Sequence, residues 1–561
     1  MKLNMFAAAL GVLGLAIAPC LAQDKQPPAP QPPEAKASAP APAPAPASAP
    51  TPGAPAARVE TWEGEIVLGA EKLGFVVHFT SPTSATLDIP AQGVLGAPLV
   101  DVKYSAKEIA FTFKPGGSEE AKAVFSAVPN EAEITKASGT LAQGQVTAPM
   151  TMKLVPRGEA AAGTPKRPQE PKPPFPYTSR EVSFSGGAEG VTLFGTLTIP
   201  DGKGPFCAVS LVTGSGPQDR DETLLGHKPF LVIADYLSRA GIAVLRVNDR
   251  GVPPSSGDFA KASTLDFAAD AEKAFEFLKA QPEIDPKHVG IMGHSEGGVV
   301  APIVASRRDD VAFIVLLAGT ATTGEQVLRD QMRAILLAAY MEKSESALSE
   351  DQKKALELAL KKASDEELTS VVKRIAESQV GAISTPEAVE QGVKKQMDMF
   401  RSVAKQILAQ QELLALAVAQ ASDEELAPVI RRLIEAQSGG AAPPETVERM
   451  VQRQIQAMHS PWMQTFLKLD PRDYLTKVKC PVLALDGSLD TQVIAAINLP
   501  EIERALKAAG NKDATVQTLP GLNHLFQTAH TGSPGEYTQI EETFAPVALE
   551  AVGSWIKAYC R

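Results

Sequence analysis

Hydrophobic and polar positions fall into three regimes along the chain. Between residues 58 and 157 apolar and polar residues alternate in short runs, at 61–68, 73–79, 85–89, 108–113 and 146–154. Strand side chains point alternately to the two faces of a sheet, so runs of this period punctuated by Gly, Pro and Asn predict a small antiparallel β domain. From residue 180 the apolar runs become continuous, at 206–212, 242–247, 289–292, 311–317 and 482–485, and amphipathic stretches such as 229–239 and 264–280 lie between them. Strands buried on both faces lose the alternation, and helices between them supply the covering layers. This pattern predicts an α/β fold with a mostly parallel sheet.

The third regime interrupts the second. Between 321 and 469 the strands stop, and runs rich in Ala, Leu, Glu, Lys and Gln predict helices. The sheet domain is thus expected in two parts, 180–320 and 470–561, around a helical insert. The insert repeats itself: ASDEELTSVVKRIAESQ at 363–379 returns as ASDEELAPVIRRLIEAQ at 421–437, 58 residues on, and Pro386-Glu387 returns as Pro444-Glu445. Ser364 and Ser422, each followed by Asp-Glu-Glu, read as capped helix starts with acids in the first turn. A block inserted just after a strand whose C-terminal end faces a site is expected to cap that site. An independent interaction surface is the alternative.

Length and composition add the ends and the spacers. The 561 residues are enough for three to five folded units. Proline, at 46 residues, is in excess, and the excess is local. Residues 23–57 hold 12 prolines and 12 alanines and read as an extended, stiff linker, and a second proline cluster marks 158–179 as another. Residues 1–22 have a short basic start, an apolar run of about a dozen residues and small residues before Gln23, the layout of a secretory signal peptide. That run is too short to span a bilayer, so no transmembrane segment is expected in the mature chain. The protein is expected to be exported, periplasmic or secreted. Lipid anchoring at Cys20 is the alternative, disfavoured by Pro19 where a small residue belongs. The net charge of −11 and the lack of a basic cluster argue against a nucleic acid partner. Cys207, Cys480 and Cys560 fit no zinc or redox spacing and read as small buried residues. His78, alone in a strand pattern, reads as structural.

The chemistry concentrates at Gly293-His294-Ser295-Glu296-Gly297, between the apolar run 289–292 and a helical pattern at 298–306. Glycines two positions either side of a serine permit the sharp strand-to-helix turn of a nucleophile elbow, which lifts the hydroxyl above the sheet. A serine hydroxyl is a weak nucleophile and needs a base, which in turn needs an acid to hold its tautomer. In this arrangement the order is Ser, acid, His. Three histidines follow Ser295: His459 falls in the insert, His524 follows a strand pattern at 515–519, and His530 lies six residues further on. His524 is the best placed, with His530 as the fallback. For the acid, Asp490 reaches the loop after the run 482–485, whereas Asp486 is still at the strand end, so Asp490 is preferred. Oxyanion donors are expected at the Glu296 N–H and, from the glycine-rich loop Thr213-Gly214-Ser215-Gly216-Pro217, at the Ser215 or Gly216 N–H. That loop lacks the Gly-Lys-Ser/Thr ending of a phosphate cradle.

Residues 180–320 and 470–561 resemble the α/β-hydrolase superfamily. Within it they are similar to a bacterial serine esterase family, through Gly-Ser-Gly-Pro-Gln-Asp at 214–219, Asp249-Arg250-Gly251, the elbow, and Gly-Leu-Asn-His at 521–524. The resemblance implies Ser295, Asp490 and His524 as a catalytic triad and carboxylic ester hydrolysis, with no cofactor and no metal. The substrate would be a small-molecule or lipid-like ester. A serine peptidase or amidase of the same fold is the rival, and a non-catalytic envelope-binding protein a second. Relatives carry a helical cap, which the duplication here enlarges.

Overall fold

The computed structural model describes residues 60–560 apart from 69–70, 90–93, 106, 115–122, 131–132, 144–145, 156–165, 345–349, 362–364, 381–385 and 439–443. The expected signal peptide, Cys20, the linker 23–57 and Ser364 lie outside the described residues. The described chain forms two units, one before and one after residue 164.

The first unit is a nine-stranded antiparallel sheet of β1 (Glu60–Leu68), β2 (Glu71–Ser81), β3 (Ser84–Ile89), β4 (Val94–Pro98), β5 (Val100–Tyr104), β6 (Ile109–Phe113), β7 (Ala123–Asn130), β8 (Glu133–Gln143) and β9 (Val146–Leu154). The strand order β4-β3-β2-β1-β9-β8-β7-β6-β5 curls on itself. Leu99 N–H, just before β5, and Tyr104 N–H, at its end, donate to Ala85 and Pro82 carbonyls at 3.1 and 3.0 Å, so the two ends of the sheet meet. Inward-facing Trp62, Phe75, Phe79, Phe111 and Phe125 fill the interior. His78 is bonded on both ring nitrogens, to Thr61 and Asp88 at 3.0 Å each, which accounts for it as a structural residue.

The second unit is built on eight strands: β10 (Tyr177–Ser185), β11 (Thr192–Pro200), β12 (Phe206–Val212), β13 (Ala243–Val247), β14 (Ile284–His294), β15 (Ile314–Leu317), β16 (Val482–Gly487) and β17 (Ala514–Leu519). Their order is β10-β11-β13-β12-β14-β15-β16-β17. Only β11 runs against its neighbours; the pairings from β13 onward are parallel. Helices α1 (Pro229–Arg239), α2 (Thr264–Lys279) and α3 (Gly297–Ala305) follow β12, β13 and β14. The central strands are buried throughout, β15 and β16 at every position, because helices cover both faces. Their inward runs therefore show no alternation. At the start of α2 the Asp266 carboxylate accepts the Ser263 N–H at 2.9 Å, pairing a donor the helix leaves open.

The segment expected to be a spacer up to residue 179 is in part structured. β10 begins at Tyr177, and Arg167 and Gln169 are docked onto the second unit. The Arg167 guanidinium donates to the Ile540, Leu225 and Gly226 carbonyls, and Gln169 pairs with the Thr543 and Phe544 backbone. Proline excludes helix here, but the intervening polar side chains satisfy loop carbonyls that would otherwise lack partners. The reading of Cys207, Cys480 and Cys560 as small buried residues left their pairing open. Cys207 on β12 and Cys560, beyond the final helix, form a disulfide with Cα atoms 5.3 Å apart, and among the described residues Cys480 is the free thiol. A sequence separation of 353 residues hides such a pair from any spacing rule.

Between β15 and β16 stand α4 (Gly324–Ser344), α5 (Glu350–Leu360), α6 (Asp365–Val380), α7 (Pro386–Val418), α8 (Asp423–Ser438), α9 (Pro444–Met458), α10 (Pro461–Lys468) and the single turn α11 (Arg472–Leu475). The sequence repeat is a structural one: α6 and α8 begin and end 58 residues apart, as do the starts of α7 and α9 and the ends of α5 and α7. Each copy is a three-helix unit. The 33-residue α7 serves as the last helix of the first copy and the first helix of the second. Equivalent positions are buried in both, Leu368 with Leu426, Val371 with Val429, and Phe400 with Met458. In the second copy the Ser422 N–H is capped by the Glu425 carboxylate at 2.9 Å. Among the described residues no helix is long and apolar enough to cross a membrane. Helix α12 (Ala495–Ala508) links β16 to β17, and α13 (Pro546–Ala558) closes the chain.

Candidate active site

The turn at Ser295 is forced by local crowding. β14 ends at His294 and α3 begins at Gly297, leaving two residues to reverse direction, and Ser295 adopts φ 54°. A Cβ on Gly293 would lie 1.9 Å from the Gly297 carbonyl oxygen, and one on Gly297 would lie 2.2 Å from that of Val212. Only glycine fits at either place, which is the physical content of the motif. The Ser295 N–H donates to the Leu317 carbonyl at 2.8 Å, tying the elbow to β15.

The loops after β16 and β17 bring an acid and a histidine to the same end of the sheet. His524 Nδ1 lies 2.7 Å from Asp490 Oδ2, while Asp490 Oδ1 accepts the N–H groups of Gln492 and Val493 at 2.7 and 2.9 Å. Burial works against ionisation of Asp490, but the facing imidazole and the backbone donors outweigh it and hold the carboxyl below its ordinary range. Asp486, the weaker candidate, does not meet the histidine. Burial, and then the charge of Asp490, push it well above the carboxylate range. Ser295 and His524 line one open pocket of about 870 Å³. His459 instead pairs with Asp423 on the insert, and the His530 N–H donates to Glu536.

Gly214 and Ser215 also line this pocket, and Gly216 follows in the same turn with φ 94°. The turn is held from outside. Asp249 accepts the Thr213 hydroxyl and the Gln218 N–H, both at 2.8 Å, so it clamps the two ends of the loop. Burial pushes this carboxyl up to about 8. Its neighbour Arg250 donates to Asp270 at 2.6 Å. These bonds give the Asp-Arg-Gly motif a structural purpose.

The pocket's other wall comes from the insert: Val327, Leu328 and Gln331 of α4 and Trp462 and Phe466 of α10. The two rings stack with centroids 5.0 Å apart. Trp462 Nε1–H donates to both oxygens of Glu296, at 2.8 and 3.0 Å, and the Thr264 hydroxyl donates to Oε1 at 2.6 Å. Burial raises the Glu296 pKa in spite of these donors. The side chain beside Ser295 thus joins the elbow to α2 and to the insert. Sequence reasoning valued Glu296 only for its main chain, and missed Glu222, His294 and Trp462. The Glu-Gly sequence after Ser295 offered a signal for the first, but nothing local marked partners 32 and 166 residues away.

Strand order, the single antiparallel member and the elbow define the α/β-hydrolase fold. Residues 271–417 match the family model described as BAAT / acyl-CoA thioester hydrolase C terminal. Esterase EstD of Thermotoga maritima is 32% identical over 186 residues, covering 33% of this chain and 43% of EstD. The match thus spans less than half the length of this curated relative. Among solved structures, an esterase of Pyrococcus furiosus is similar at 14% identity and TM-score 0.35 over 69% of this chain and 92% of its own. The proline iminopeptidase of Mycobacterium smegmatis is similar at 14% identity and TM-score 0.35, over 68% of this chain and 98% of its own.

Proposed function

We propose that the protein is an exported serine hydrolase that cleaves carboxylic esters through an acyl-enzyme. The observation that carries this reading is the 2.7 Å contact of His524 Nδ1 with Asp490, in a pocket shared with a serine on a nucleophile elbow. With Nδ1–H engaged by the acid, Nε2 is left as the base. Ser295 Oγ attacks the ester carbonyl as His524 takes its proton. The N–H groups of Glu296 and of Ser215 or Gly216 stabilise the tetrahedral oxyanion, and His524 returns the proton to the leaving alcohol. Water repeats the sequence in deacylation. The set requires no metal or organic cofactor. The helical insert acts as the cap, closing the pocket with apolar and amide side chains. Export is supported by the disulfide, since such bonds persist in oxidising compartments.

A second reading, thioester hydrolysis, draws on the family match. The described lining of the pocket contains no lysine or arginine, the groups that recognise the phosphates of a coenzyme A thioester, so an uncharged ester is favoured. The test is a panel of p-nitrophenyl esters, a coenzyme A thioester and peptidyl anilides, turned over by the protein and by Ser295→Ala. Esters should be preferred, and the variant should lose several orders of magnitude, about 10³-fold or more. Equal rates for the two proteins would mean a non-catalytic scaffold, and a preference for anilides or the thioester would reassign the reaction.

A further inference from the structure

Beside the Asp490–His524 pair stands a second buried pairing of an acid with a histidine. Glu222 and His294 are 4% and 6% exposed. His294 Nδ1 lies 3.0 Å from Glu222 Oε1, and its Nε2 lies 2.9 Å from the backbone carbonyl oxygen of His524. The same Glu222 oxygen accepts the Gly214 N–H at 2.7 Å. One acid–histidine unit thus joins three parts of the site: the oxyanion loop, the elbow and the loop that carries the base. Glu222 holds φ 52°, a conformation side chains rarely adopt, so the surrounding structure maintains it at a cost. The ring centroids of His294 and His524 are 4.8 Å apart.

Both groups that His294 faces, a carboxylate and a carbonyl, are acceptors. A neutral imidazole has one N–H and can satisfy one of them, whereas an imidazolium satisfies both. We propose that His294 is held as an imidazolium by Glu222, and that this doubly donating ring is a positioning residue that fixes the His524 loop against the elbow. The charged and titratable groups facing it are Glu222 from the loop after β12, Asp490 from the loop after β16 and His524 from the loop after β17. Burial opposes the charge, and Glu222 outweighs it, raising the His294 pKa. The ring touches no reacting atom in this scheme. It acts by where it holds His524.

This rests on the reading of His524 as the base, but the protonation claim is tested without any activity. In the full chain with ¹⁵N-labelled histidine, assigned by comparison with His294→Gln, both ring nitrogens of His294 should carry protons near pH 7. A lone-pair nitrogen at either Nδ1 or Nε2 would overturn the assignment, since the ring would then be neutral. The positioning role is read from Glu222→Gln. A neutral amide no longer holds the second proton, so the ratio of wild-type to variant kcat/KM should rise with pH, approaching about tenfold per unit above the variant's His294 pKa. A ratio that stays constant between about pH 6 and 9 would contradict it, because a merely structural defect is not tuned by that titration. If Glu222→Gln does not fold, the spectrum of the wild-type protein still decides the protonation state.

Discussion

The pocket has two walls of different character. The sheet side brings buried ionisable groups, Glu222, His294, Glu296 and His524, each bonded to a partner at 3.0 Å or closer. The insert side brings Val327, Leu328, Gln331, Trp462 and Phe466, apolar or neutral throughout. Charges taken out of water must be paired and fixed. The sheet can do this because every loop at that end is anchored to a strand. The helices instead supply apolar and neutral lining. Within the insert the contrast recurs: the two copies of the repeat are built alike, but only the second shares a core with α4 and α10, the elements that reach the pocket. The core of the first copy is made of its own three helices. Duplication here multiplied a fold without multiplying its contact with the site.

This division is open to direct attack, first on the sheet wall. Asp490→Asn removes the charge that orients the base, and kcat should fall by about 10³- to 10⁴-fold, measured with p-nitrophenyl esters. Asp486→Asn should stay within about tenfold of wild type, because a neutral acid is replaced by a neutral amide. The reverse ranking would transfer the role to Asp486.

At the junction of the walls, Trp462→Phe keeps the stack on Phe466 and removes the N–H from the Glu296 carboxylate. An unsatisfied buried group costs ~1–3 kcal/mol, so kcat/KM should fall by about tenfold or more if the bond holds the pocket together. Unchanged kinetics would separate the insert from catalysis.

The finest test compares equivalent positions of the repeat. Leu368→Ala and Leu426→Ala each empty a fully buried site, and each should destabilise its own copy by ~2–5 kcal/mol in a denaturation experiment. Only Leu426→Ala should also change KM for esters. Equal effects on KM would show that both copies shape the pocket.

The parts of this architecture that were legible in the sequence are those with short-range causes. Continuous apolar runs marked β12 and β16, alternation marked β1 and β9, and the glycines around Ser295 marked the elbow. The meeting of Asp490 with His524 was anticipated from the chain order that such a fold imposes. What escaped depends on contacts across long separations. β10 and β11 were not marked, their pairing being with one another and with β13 rather than with a local pattern. The Cys207–Cys560 bond and the docking of Arg167 span more than 350 residues. Glu222 looks like one more surface acid in a polar loop, and only the folded chain places it under Gly214 and His294. The repeat was visible at once, but not that α7 fuses its copies, since no residue marks the junction inside a continuous helical pattern.

The central claim, that Ser295 is a nucleophile activated by His524, is tested most directly by treating the full-length protein with a fluorophosphonate probe and locating the adduct by mass spectrometry. The account predicts one modified residue, Ser295, and labelling lost in Ser295→Ala and sharply slowed in His524→Ala. An unmodified Ser295 in the folded protein, or labelling that persists unchanged without His524, would contradict it.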